Sequence, residues 1–293
     1  MAALATTSFD PPVLAGYLPS WAMSSYQLGR LDPLTDVLYF SIQPNADGTL
    51  NLADIDLAHL PKLRNAKQRY GFRLLISCGG WERSAGFYPM SSNAANRKRF
   101  VNQAFAFCER EGFDGIDLDW EHPSNADQAN AYGDLIRDLR VKFAPSGRIV
   151  TAAIAAWQTM SAKAVQNLDR VHLMSYDHQG KHATMEDARK DIDLLRTMGF
   201  PNRKIVLGVP FYGRSLTNWN QTITYRDLVA QFDPPAKADE VGGYYFNGRD
   251  TLREKADLSL RRNLGGIMIW EVTQDVTGPK SLLKVLSETL HQP

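Results

Sequence analysis

Four carboxylates fall within eight residues of this chain, at Asp114, Asp117, Asp119 and Glu121, and the positions between them are held by Gly115, Ile116, Leu118 and Trp120. In a β-strand, side chains alternate faces at about 3.3 Å per residue, so Asp117, Asp119 and Glu121 line one surface about 6 to 7 Å apart while Ile116, Leu118 and Trp120 fill the other. Acids crowded on one face repel as anions and hold one another's protons. At least one should therefore carry a raised pKa and be able to donate a proton near neutrality. That is general-acid chemistry. A solvated acidic loop is the plainer alternative, but the apolar residues between the acids argue against it. A calcium loop would need Asp or Asn at alternate positions, a central Gly and a closing Glu at the twelfth.

The elements that must position these acids can be read from the rest of the chain. Apolar, β-rich runs recur at residues 13–18, 36–42, 72–78, 113–119, 148–154, 170–175, 204–210 and 266–271. Amphipathic stretches with helical spacing lie between most of them, as at 93–111, 125–143, 185–198 and 250–263. Strands alternating with helices predict an α/β fold with a parallel sheet, and eight strands predict its closure into a single-domain (β/α)8 TIM barrel. Gly71, Gly112 and Gly199 each follow a helical stretch and precede an apolar run, where a left-handed cap is expected.

In such a barrel the working residues sit at the carboxyl ends of the strands. Ser77-Cys78-Gly79-Gly80-Trp81, the 117–121 segment, Met174-Ser175-Tyr176-Asp177, Pro210-Phe211-Tyr212-Gly213-Arg214 and Trp270-Glu271 all take that position. The chain reads as a loose tail over residues 1–11 and a catalytic barrel over 12–293, with no internal repeat or linker. Its longest irregular stretch, 215–248, is too short for a core of its own.

A length of 293 residues suits one barrel, and 44% hydrophobic residues suffice for a full core. The net charge of +1, with both signs interspersed, leaves no basic stripe for nucleic acid and makes a neutral polymer a more natural partner than an acidic one. Cys78 and Cys108 are the only cysteines, which excludes a disulfide framework and a cysteine metal site. Cys78 ends an apolar run and Cys108 shares a helix face with Phe100, Val101, Ala104 and Phe105, so both read as buried thiols. The N-terminal residues form no signal peptide, and no run approaches the ~18 apolar residues of a membrane span. The expectation is an extracellular protein whose signal has been removed or omitted.

Taken in barrel order, these motifs resemble the glycoside hydrolase family 18 chitinases, over roughly residues 13 to 289. The family's Asp-x-x-Asp-x-Asp-x-Glu appears as Asp114, Asp117, Asp119 and Glu121, and its Ser-x-Gly-Gly as Ser77, Gly79 and Gly80. Its Met-x-Tyr-Asp appears as Met174, Tyr176 and Asp177, and its eighth-strand Trp as Trp270. The resemblance implies a retaining endo-chitinase that uses its substrate as the nucleophile. Glu121 would protonate the glycosidic oxygen while the sugar's acetamido carbonyl attacks the anomeric carbon, giving an oxazolinium ion that water opens. Asp119 would hold the acetamido N–H, Asp117 would share a proton with Asp119 from deeper in the barrel, and Tyr176 would steady the acetamido oxygen. Asp177 would bond the distorted sugar, and Asp114 would be structural.

The family also implies Trp270 as the floor beneath the cleaved sugar, with Met174 among the binding residues. Trp81 would be a platform on the leaving-group side, because the C–H face of a sugar covers a flat ring. Tyr17, Phe40, Tyr212 and Arg214 lie at strand ends where the family contacts sugar, each a candidate for contact or for packing. Trp219 could line the cleft or pack in a loop, while Trp120 and Trp157 read as packing residues. His122 stands where the family more often has Tyr, and His178-Gln179 where apolar residues are frequent; His122 reads as packing, with an altered pH range as the other possibility. The segment between Phe211 and Gly266 is too short for the small α+β domain that walls deep grooves, which predicts a shallow cleft and internal cleavage.

The implied partners are chitin and chito-oligosaccharides, met by a monomer without metal or cofactor, and no nucleic acid or membrane. A lectin-like protein on the same barrel remains the alternative from another class. An endo-β-N-acetylglucosaminidase or a peptidoglycan hydrolase is the nearer one.

Overall fold

The computed structural model describes residues 11–291. Eight parallel strands form its centre: β1 (Val13–Pro19), β2 (Asp36–Pro44), β3 (Arg73–Gly79), β4 (Gly115–Asp119), β5 (Ile149–Ile154), β6 (Arg170–Leu173), β7 (Ile205–Pro210) and β8 (Gly266–Trp270). Each pairs with the next in sequence, and β8 returns to β1 through Val13↔Gly266 and Gly16↔Ile269. The sheet is therefore closed, and the expected (β/α)8 barrel is the observed fold. Residues 1–10 of the expected tail lie outside the described residues.

Strand alternation sorts the side chains into two layers. From β1, Val13, Ala15 and Tyr17 point into the barrel, where they meet Leu38, Phe40, Leu75, Ala153, Val206 and Met268. Leu14 and Leu18 point outward into the larger layer between strands and helices. The long helices lie on that outer layer. Ala94–Glu111 and Ala126–Phe143 start at Asn93 and Asn125, whose side-chain oxygens accept from backbone N–H groups of the first turn. Met185–Thr197 begins with a capping box between Thr184 and Asp187. Cys78 and Cys108 are free and buried, as expected, with Phe107 packed more deeply than Phe105.

Two strands are shorter than their apolar runs by two residues. β4 starts at Gly115, because Asp114 turns its carboxylate to Lys67 Nζ (2.6 Å) and to the Leu74 N–H (2.8 Å), tying the strand's base to its neighbours. β6 ends at Leu173, because Ser175 leaves the ladder and donates to Asp191 on the helix behind it (2.6 Å). The stretch expected to be irregular supplies three strands, Thr222–Thr224, Glu240–Val241 and Tyr244–Tyr245, which join Tyr212–Ser215 in a small four-stranded antiparallel sheet. Strands this short carry too few alternations to be recognised in sequence. No described helix is long and apolar enough to cross a membrane.

The amino end of the barrel is held by charge. Asp36, 1% exposed, accepts from Arg73 Nε (2.8 Å), Arg170 Nη1 (3.1 Å) and Thr35 Oγ1 (2.6 Å). Burial alone would raise its pKa, but the two guanidinium groups and the Thr35 and Arg73 hydrogen bonds bring it below the ordinary carboxylate value. Asp36→Ala leaves the largely buried Arg170 and the more exposed Arg73 without their partner and should cost roughly 3 kcal/mol of stability, read as a lower urea midpoint. Because the native pKa is depressed, the wild-type contribution should be present above about pH 4 and fade as the pH falls through the native value. An unchanged midpoint in the variant would show that the ion pair adds nothing.

Candidate active site

β4 carries the acids up the inside of the barrel. Asp117, fully buried, takes three donors from three other strands: Tyr17 Oη at 2.6 Å on β1, Thr151 Oγ1 at 2.5 Å on β5 and the His172 ring Nδ1 at 2.9 Å on β6. Two residues on, Asp119 is 4% exposed, and its Oδ1 meets no hydrogen-bond partner. Burial, followed by the charges of Glu121 and Asp117, pushes the Asp119 carboxyl well above its ordinary range. Glu121 follows just past the strand end, its side chain 16% exposed. Burial pushes its pKa up to about 7, the nearby Asp177 adds to the shift, and the backbone of Trp81 opposes it. Ile116, Leu118 and Trp120 fill the outer layer on the opposite face of the strand.

The turn after β3 presses against the end of β4. Gly80 N–H donates to the Asp119 carbonyl at 2.7 Å, with Gly79 at φ +106° and Gly80 at φ +111°. A Cβ on Gly79 would stand 2.2 Å from that carbonyl oxygen, and one on Gly80 would stand 2.4 Å from the Phe40 ring. Only glycine fits at either position. Ser84 completes the junction by accepting the Glu121 N–H (2.9 Å) and donating to the Gly80 carbonyl (3.1 Å). The backbone of Glu121 is thus fixed from the neighbouring strand.

Above the acids opens a cleft of about 540 Å³. Trp270 lies at its floor, propped on the edges of Tyr17 (5.4 Å between ring centres) and Phe40 (4.9 Å). Trp21, Trp81, Trp157 and Trp219 stand exposed around it, so five of the six tryptophans line one cleft. Trp120 alone is interior, stacked on Phe87. Trp157, expected to pack, is a cleft residue instead, 66% exposed: it follows β5 in an irregular segment with no face to bury it. Trp219 likewise takes the cleft side of its two readings, with the Arg214 guanidinium 4.3 Å above its ring.

The segment after β6 forms the facing wall. Tyr176 lines the cleft, its hydroxyl kept protonated by burial, and Met174 lies beside it. Asp177, at φ +63°, takes Tyr212 Oη (2.7 Å) and two Arg214 nitrogens (2.9 and 2.6 Å), all on Oδ1. That leaves Oδ2 to accept from a ligand. Burial acts to raise the Asp177 pKa, but the His182, Tyr212 and Arg214 groups outweigh it and hold the carboxylate charged.

The structure gathers Glu121, Asp119, Tyr176, Trp270, Asp177, Trp81, Met174, Tyr17, Phe40 and Arg214 on one cleft, while Asp117 and Tyr212 lie beneath it. His122, read as packing, also opens on the cleft, against Trp157. Trp21 and Arg83 are cleft residues that the sequence analysis missed. Trp21 was findable, since it follows the β1 terminus as Trp81 follows that of β3; Arg83, in a loop and paired with Asp54 (2.8 Å), carries no such signal.

Comparison with known proteins adds independent findings. The sequence model of glycosyl hydrolases family 18 matches residues 13–275. A probable chitinase 2 of Drosophila melanogaster is 29% identical over 355 aligned residues, covering 90% of this chain and 72% of that protein. Chitinase 1 of Aphanocladium album is 26% identical over 360, covering 95% and 84%. Both alignments exceed the 293 residues of this chain, so those relatives carry segments it lacks. The crystal structure of a chitinase from Bacteroides thetaiotaomicron superposes with a TM-score of 0.86 at 25% identity, over 96% of this chain and 97% of that one.

The geometry predicts that Glu121 keeps its proton well above the ordinary range for a glutamic acid. A pH titration of the 13C-labelled side-chain carboxyls should show one glutamate with a midpoint at about 7 that disappears in Glu121→Gln. A complete set of midpoints below pH 5 would remove the basis for a neutral-range acid.

Proposed function

The chain belongs to glycosyl hydrolases family 18 and is a glycoside hydrolase, and from that footing we propose that it cleaves chitin, a β-1,4-linked N-acetylglucosamine polymer, at internal bonds with retention of configuration. The reading rests above all on one observation, a largely buried Glu121 carboxyl on the cleft, whose pKa burial raises to about 7, two residues from an Asp119 oxygen with no partner. The first group can give up a proton. The second can accept an N–H that only a ligand supplies.

Glu121 is the acid: its proton passes to the glycosidic oxygen as the bond from that oxygen to the anomeric carbon breaks. The carbonyl oxygen of the sugar's own acetamido group forms the new bond to that carbon from the opposite face. Asp119 accepts the acetamido N–H and faces the positive charge of the resulting oxazolinium ring. Tyr176 donates a hydrogen bond from its hydroxyl to the acetamido oxygen and keeps its proton. Water then adds to the anomeric carbon and gives a proton back to Glu121, and the ring opens with the configuration retained. The nucleophile is built into the substrate and the leaving group is activated by a proton, so the sequence of steps calls for neither metal nor cofactor.

Trp270 underlies the sugar being cleaved, and Asp177 accepts one of its hydroxyls through Oδ2. The exposed rings of Trp21, Trp81, Trp157 and Trp219 supply flat apolar surfaces for further units of a linear chain. The segment between β7 and β8 brings Arg214, Trp219 and Asn220 to the cleft and holds only a small sheet and two helices, which suits an open cleft entered by the middle of a polymer. A monomer acting outside the cell fits a substrate of that size.

Glu121→Gln should lower turnover on chito-oligosaccharides by roughly 10²- to 10⁴-fold while leaving their binding measurable by calorimetry. The wild-type enzyme should release β-anomers first, and fully deacetylated oligomers should not be cut. Unimpaired turnover in the variant, or ready cleavage of deacetylated material, would overturn the reading. On long soluble polymer, viscosity should drop before reducing ends accumulate, with products of several lengths. Early release of disaccharide alone would mean cleavage from one end.

A further inference from the structure

Beside Glu121 lies an imidazole that the chemistry above does not use. His122 is largely buried, its side chain 17% exposed, with Nε2 at 3.5 Å from Glu121 Oε2 and Nδ1 at 3.2 Å from Gln158 Oε1. The ring meets Trp157 in an edge-to-face contact, 4.6 Å between centres. Gln158 is fully buried, and its Nε2 donates to the Met160 sulfur at 3.6 Å. A thioether sulfur accepts and does not donate, so this contact orients the amide, leaving its oxygen toward the imidazole. An amide oxygen can only accept. The ring hydrogen must therefore be on Nδ1, and the bare Nε2 lone pair is the side turned to Glu121.

We propose that His122 is a positioning residue for the general acid: locked by Gln158 in the Nδ1–H form, it turns a lone pair toward Glu121 and so favours the protonated carboxyl over the carboxylate. The separation of 3.5 Å is longer than a strong hydrogen bond, so the acid is biased without being held and stays free to turn to a glycosidic oxygen. Burial also lowers the basicity of the ring, which keeps it neutral at the pH where Glu121 works.

The other charged or titratable groups on this cleft do not reverse the bias. Asp119 on β4 and Asp177 after β6 are acids, Tyr176 is neutral, and Arg214 is paired with Asp177 (2.6 Å), His178 with Asp191 (2.9 Å) and Arg83 with Asp54 (2.8 Å). An apolar residue at this position would pack against Trp157 but would present no lone pair. The proposal thus explains why an imidazole and a buried glutamine occur together here.

The inference rests on the reading of Glu121 as the acid, and the tests separate the two. The limb to watch is the fall of kcat/KM above about pH 7, where Glu121 loses its proton. His122→Asn can keep the bond to Gln158 but has nothing at the Nε2 position, and the limb should move down by about one pH unit. His122→Gln can place its amide oxygen there and should hold the limb closer to the wild-type position. In the wild-type protein, 15N NMR of the imidazole at pH 7 should show Nδ1 protonated and Nε2 bare, a readout that no folding defect can confuse. A limb unmoved or raised in His122→Asn, or a hydrogen found on Nε2, overturns the proposal alone so long as Glu121→Gln is inactive. An active Glu121→Gln removes the acid assignment and this inference with it.

Discussion

The site depends on the hydrogen bonding of one buried carboxyl. Asp117 is gripped by Tyr17, Thr151 and His172, and because these lie on β1, β5 and β6, the grip ties β4 to strands on both sides of the barrel. A strand repeats every two residues, so fixing Asp117 also fixes which side chains follow it up the interior. A slip of one residue would send Leu118 and Trp120 inward and every acid outward. Asp119 and Glu121 can remain poorly partnered because Asp117 supplies the register, and poor partnering is what leaves them available to a ligand.

The strand alone does not finish the arrangement. Glu121 lies two residues past the end of β4, where a chain would ordinarily be free to turn. Its backbone is set instead by Ser84 and by the glycine turn after β3, whose close approach to the Asp119 carbonyl allows no side chain. The same turn sends Trp81 into the cleft. One pair of glycines therefore positions the acid and one of the surfaces beside it, and chemistry and binding cannot drift apart.

Much of this was legible in the sequence because it rests on periodicity. The strands and the major helices were placed within a few residues of their ends, and the β4 acids pointed where a period of two sends them. Legibility failed where period fails. Trp157 lies in an irregular segment just past the end of β5, and a lone aromatic there gives no sign of which side it faces. The small sheet after β7 is built of strands two to four residues long, too short for a pattern. The setting of His122 was hidden for a different reason: its ring meets Gln158, thirty-six residues distant in sequence and brought to it by the pairing of β4 with β5.

Carboxylates at the two ends of this barrel are driven in opposite directions, and the cause is where the cations go. Asp36 at the amino end is as buried as Asp119 at the carboxyl end, yet Arg73 and Arg170 bring its pKa down and make it a clamp. The cleft has arginines of its own, but Arg214 turns to Asp177 and Arg83 to Asp54, so neither neutralises Glu121 or Asp119. Asp119 is left with burial and the charges of Glu121 and Asp117, Glu121 above all with burial, and both are pushed up. Asp177, which takes the arginine, stays charged and raises Glu121 further. The arrangement that fixes the far wall of the cleft thus also keeps the proton on the acid. A cation freed from either pairing and turned toward Glu121 would stabilise the carboxylate and oppose the chemistry while leaving the shape of the site intact.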